Sequence, residues 1–119
     1  MNKIMLSMLV LMTLSLAQPV MAHHSAAQFD FQKPTDIPGI VKEVRVANPH
    51  MKLVLEVTDA SGTRDVTYEG HSRNNLYRRG WRPNMINVGD KITITIATPK
   101  AGGDGGYVVA VKTADGHQF

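Results

Sequence analysis

An all-β domain with a single short helix is what this sequence predicts, and three observations carry the prediction. Apolar and polar residues alternate along residues 39–57, 63–69 and 91–98, the period of strands that bury one face, and a last apolar stretch covers residues 107–113. Residues 73–79 alone carry helix punctuation at both ends, with Ser72 ahead and Gly80 behind. The chain has no cysteine, so its core must come from packing and not from disulfides or a thiolate metal site.

Before the strands comes a leader. Lys3 precedes an apolar run over residues 4–17, and Val20, Met21 and Ala22 frame a cleavage point, so residues 1–22 read as a signal peptide. That run is short for a bilayer and no second one follows, so the mature protein is expected to be periplasmic or secreted, with no membrane span. A cut after Ala22 makes His23 the first residue. A cut after Ala17 competes with it, and Pro19 favours the later site. The rest of the chain has room for one domain with one core. Lys and Arg number 13 against 10 Asp and Glu. Loss of Lys3 brings that balance nearer zero, so the positive charge says little about partners.

Residues 23–38 show no sustained period and include Pro34 and Pro38, which reads as an extended N-terminal arm laid on a barrel domain of residues 39–119. Phe29 and Phe31, two apart, would pin the arm. In the first strand Val44 and Val46 alternate with Glu43 and Arg45; in the second, Leu53, Leu55 and Val57 alternate with polar residues. Pro49 cannot donate to a ladder, so the corner Asn48-Pro49-His50 breaks the ribbon and leaves His50 beside an exposed loop. Val66 and Tyr68 mark the third strand. Leu76 is the inward anchor of the helix, Arg78 and Arg79 lie at its negative end, and Trp81 packs on the barrel. A connector through Met85 and Val88 reaches the fourth strand, where Ile92, Ile94 and Ile96 share a face. A glycine-rich loop over residues 102–106 precedes the fifth, and a short tail follows. Three strands, a helix and two strands, in about a hundred residues, match the five-stranded OB-fold-like Greek-key barrel; a small β-sandwich is the competing architecture.

The motifs A-H-H-S at 22–25, N-P-H at 48–50, Y-E-G-x-S at 68–72, N-x-L-x-R-R-G-W at 74–81 and V-G-D at 88–90 span nearly the whole mature chain. Together they resemble a family of small exported bacterial proteins of unknown function. The resemblance implies a secreted single-domain protein and brings no assigned activity with it.

Histidines carry the functional reading. A terminal His23 offers its amine and its imidazole to one metal ion, a chelate that an internal histidine cannot form, and His24 adds a second ring. If the cut falls one residue earlier, Ala22-His23-His24 puts a histidine third, which suits square-planar Cu(II) or Ni(II). His50 is the third candidate ligand. In an antiparallel meander the ends of the first and third strands lie at one pole, so His50, Glu69 and His71 are expected near one another, with Glu69 and His71 as further binding residues.

The arginines at 73, 78, 79 and 82 around Trp81 read as a solvated helix face and not as a nucleic-acid groove, since the helix dipole and export account for them. No cysteine nucleophile, nucleophile elbow, H-E-x-x-H or phosphate loop is present, so the chain does not read as an enzyme. Two expectations result. One is an exported module binding copper or another transition metal through His23, His24 and His50. The other is an accessory domain that recognises an envelope protein without metal.

Overall fold

The computed structural model describes residues 26–119. Its elements are β1 (Phe29–Arg45), β2 (Lys52–Asp59), β3 (Gly62–Gly70), the helix α1 (Arg73–Arg78), β4 (Lys91–Pro99) and β5 (Tyr107–Thr113). The strands close into a barrel in the order β1-β2-β3-β5-β4. All neighbours are antiparallel except β3 and β5, which run parallel and meet only at Glu69↔Tyr107 and Gly70↔Val108. This is the OB-type arrangement expected from the element order.

The alternating residues fill the interior. Leu53, Leu55 and Ile94 have no exposed surface, and Val57, Val66, Tyr68, Ile92 and Ile96 are buried around them. Along β1 and just past its end the inward face switches parity: Val41 is fully buried, whereas Val44 and Val46 are the half-buried residues packed on the core. The cause is a bulge, because Val41 pairs with Leu55 but Glu43 with Val54, leaving Lys42 as the extra residue. A second shift, where Thr95 pairs with Ala110 and Ile96 with Val108, makes Val109 the extra residue of β5 and spaces buried Val108 and Val111 three apart.

The expected arm is corrected from Phe29 onward. Residues 29–40 are the first part of β1 and pair with β4 from Phe29↔Pro99 to Ile40↔Lys91, so a domain boundary after Pro38 falls inside a strand. Prolines at 34 and 38 concealed it. They lie an even number of residues apart, so both nitrogens face the same edge of β1, away from β4, and β2 does not begin to pair until Ile40. The pairing also shifts between Asp30 and Pro34, which hides any period.

Ser72 caps α1, its hydroxyl accepting from Asn75 N at 3.2 Å, and Arg79 closes the other end. Leu76 and Trp81 are buried, as expected. The connector differs: its anchor is Ile86, which is buried, while Val88 is 68% exposed. The C-terminal tail turns back along β5, with Val111 N donating to Phe119 O at 2.8 Å and Phe119 N to Val111 O at 3.1 Å, and this buries Phe119.

At one end of the barrel Arg64 ties the β2–β3 turn to the glycine-rich loop, bonding Asp59 at 2.9 Å and Asp104 at 2.6 Å. Its guanidinium holds both carboxyls below the usual aspartate value of 3.8, with Ser61 N also bonding Asp59. A depressed carboxylate stabilises the fold above its unfolded value and loses that contribution as pH falls through the folded one. The wild type is therefore expected to melt above Arg64→Gln at neutral pH, and the two melting temperatures to converge as pH drops below 3.8. A gap that persists undiminished in acid refutes this.

Candidate functional site

The ladder between β2 and β3 ends irregularly. Gly70 N donates to Met51 O at 3.3 Å and Met51 N donates to His71 O at 2.9 Å, so Met51 faces two residues, Gly70 and His71. Gly70 permits the close approach, because a Cβ there would lie 3.0 Å from the Met51 side chain. Its carbonyl also receives His50, whose Nδ1 lies 3.0 Å away. A carbonyl only accepts, so Nδ1 carries the proton, and a neutral His50 ring leaves Nε2 with a free lone pair.

Tyr107 is the hub of this pole. The His50 and His71 rings stand nearly perpendicular to it, at centroid distances of 6.2 and 5.5 Å. Phe29 and Phe31 pack on the same ring at 5.9 and 5.5 Å, so the start of β1 is pinned here as their spacing predicts. Glu69 is the register partner of both Lys52 and Tyr107. Burial first, then the Glu69 charge, pushes the Tyr107 phenol above its ordinary value, so it stays protonated at neutral pH.

His71 is held from several sides. Arg79 Nη1 donates to its Nε2 at 2.7 Å, Tyr107 Oη lies 3.4 Å from its Nδ1, and the Asn75 amide nitrogen lies 3.5 Å from the same Nδ1. Burial, followed by the Arg79 and His50 charges, pushes the His71 pKa below the ordinary imidazole value, so its ring is neutral at pH 7. The corner is tied to the helix as well. Ala47 O accepts from Arg73 N at 3.0 Å, and Asn48 Oδ1 from Asn74 N at 3.3 Å.

The fold thus brings His50, Glu69 and His71 to one pole, as the meander requires, while His23 and His24 lie outside the described residues. Among the described residues no group of three or more His, Cys, Asp or Glu is placed to hold a metal ion. Sequence reasoning missed Tyr107, Arg79 and Asn75 as members of the site. Tyr107 had one local signal, an aromatic residue directly after the glycine-rich loop.

A groove of about 530 Å³ is lined by residues of β1, β2, β4 and β5, among them Lys91, Lys112 and Glu56. Glu56 is engaged by Lys42 at 2.9 Å, and the lining contains no histidine, so the loop pole carries the more specific chemistry. No helix among the described residues is long and apolar enough to cross a membrane. A model for a family of unknown function matches residues 11–108, ending at the second residue of β5. No curated protein and no solved structure matches the chain.

Proposed function

We propose, from the premise that this chain belongs to DUF6152, a family of unknown function, that it is an exported, non-enzymatic module that binds a transition-metal ion, copper above others, at the Tyr107 pole. The observation supporting this most is the His50–Gly70 hydrogen bond at 3.0 Å. Metal-binding histidines usually donate one ring N–H to a carbonyl or carboxylate, which fixes the tautomer and points the other nitrogen at the ion. His50 Nε2 is the resulting ligand, and His23 with its terminal amine and His24 supply the others. Phe29 lies against Tyr107, and four residues separate it from His24 in the sequence.

The test uses protein exported with its own terminus, titrated with Cu(II) beside His50→Ala and a version bearing one extra residue ahead of His23. Each change is expected to weaken binding about tenfold or more. Equally weak binding by all three proteins sinks the proposal.

A second reading, an accessory domain that recognises an envelope protein through the same pole, is favoured by Phe31, which stays 47% exposed while packed on Tyr107. A pull-down from envelope extract should then recover a partner with the wild type and lose it with Phe31→Ser. Recovery of nothing, with or without metal, counts against it.

A further inference from the structure

We infer that the cavity at the Arg64 end of the barrel is a binding site for a small primary amine in its ammonium form, with the Tyr68 hydroxyl and the Asp59 and Asp104 carboxylates as its acceptors. The site shares no residue with the Tyr107 pole and is independent of the metal reading.

The cavity is built into the fold. It measures about 210 Å³, and three of its walls are Ile37 of β1, Val57 of β2 and Ile96 of β4, which lie on the same alternating faces as buried Val41, Leu55 and Ile94. The next residues on those faces are Thr35, Asp59 and Thr98. On β3 the inward face runs from Tyr68 through Val66 to Arg64, and Gly103, Asp104 and Gly105 line the cavity from the glycine-rich loop. An apolar interior thus ends in a polar mouth.

Two observations define the ligand. The first is Tyr68, which is only 3% exposed although no described group bonds its hydroxyl. The charges that bear on this hydroxyl are those of Asp104, Arg64 and Asp59, all of them cavity residues, so it is directed at the mouth. A buried hydroxyl without a partner is costly, and a ligand in the cavity would supply one.

The second is that the cluster has acceptors to spare and no donors. Arg64 commits every N–H it has: Nε and Nη2 to Asp104, Nη1 and Nη2 to Asp59, and Nη1 again to Gly62 O. Asp59 Oδ1 accepts from Arg64 and from Ser61 N, whereas Asp59 Oδ2 and both Asp104 oxygens accept one bond each and keep a lone pair. Two carboxylates against one guanidinium also leave a negative charge. At the Tyr68 hydroxyl that charge prevails: burial first, then Asp104, pushes the phenol above its ordinary value, and Arg64 opposes them less strongly.

An anion therefore finds no donor here, while an ammonium brings three donors and the missing positive charge. Ile37, Val57 and Ile96 offer apolar surface to the rest of the molecule. The volume falls below that of a pocket for drug-sized ligands, so the aliphatic part is short.

The experiment titrates the chain as exported with n-butylammonium, n-butanol and butyrate at matched ionic strength, and follows the backbone amides by NMR. Butylammonium should give saturable shifts centred on Thr35, Thr98 and residues 103–105, with butanol binding more weakly and butyrate not at all. Tyr68→Phe removes only a hydroxyl that no described group bonds, and should weaken butylammonium binding about tenfold. Asp104→Asn keeps the shape of an exposed side chain and should bring butylammonium down to the level of butanol. A cavity that holds water alone shows no saturable shift, and that result overturns the inference. So does butyrate binding as well as butylammonium, or Tyr68→Phe binding butylammonium as tightly as the wild type.

Discussion

Gly39→Val is expected to cost about 2–3 kcal/mol of stability, seen as a lower urea midpoint with an unchanged slope. Gly39 lies where β1 passes from pairing with β4 to pairing with β2: it faces Ile92, and its neighbour Ile40 pairs with both Lys91 and Glu56. A Cβ there would sit 2.9 Å from Glu56 O, 3.1 Å from Leu55 Cβ and 3.2 Å from Leu55 Cδ1. The first obstacle is backbone, so the strand itself must move. Gly62 makes the control, because its φ of +102° disfavours a side chain but nothing lies within 4 Å of its Cβ position. Gly62→Ala should cost about 1–2 kcal/mol from conformation alone. If Gly39→Val proves milder than Gly62→Ala, the close approach of β1 to β2 has been misread.

Leu55→Ala should cost more, about 3–4 kcal/mol, because Leu55 is completely buried and its loss leaves a cavity between β1 and the opposite wall. Against a total of about 5–15 kcal/mol for a domain of this kind, that is a large fraction. The two positions touch, so their effects should not add. In Gly39→Ala/Leu55→Ala, set beside Gly39→Ala and Leu55→Ala alone, the clash with Leu55 Cδ1 disappears while those with Glu56 O and Leu55 Cβ remain. The double variant should therefore be somewhat more stable than the sum of the two losses predicts. Strict additivity would show that the contact carries no coupling energy.

The elements legible in advance are those whose signals are local. Ile92, Ile94 and Ile96 declare a strand because side chains alternate at a period of two, whatever lies opposite. Ser72 and Gly80 bracket α1 because capping involves only neighbours in the chain. The element order then limited the topology, and the corner at Pro49 placed His50 and His71 at one pole before any distance was known. The missed elements have causes that act over long sequence separations. The first part of β1 has no period of its own and is a strand because β4 offers it a ladder. The bulges at Lys42 and Val109 are set by the partner strands, and Phe119 is buried because β5 gives the tail a place to dock.

The site divides along the same line. That this chain carries histidines at a barrel pole, without cysteine, follows from the order of its residues alone. The tertiary structure alone decided that Tyr107 gathers both rings, that Gly70 O fixes the His50 tautomer, and that Arg79 occupies the His71 lone pair. Each of these contacts joins residues from different elements or across a loop. Hydropathy period and capping residues are set within a few neighbours of one strand or helix, and they do not record which side chains the closing of a barrel brings together.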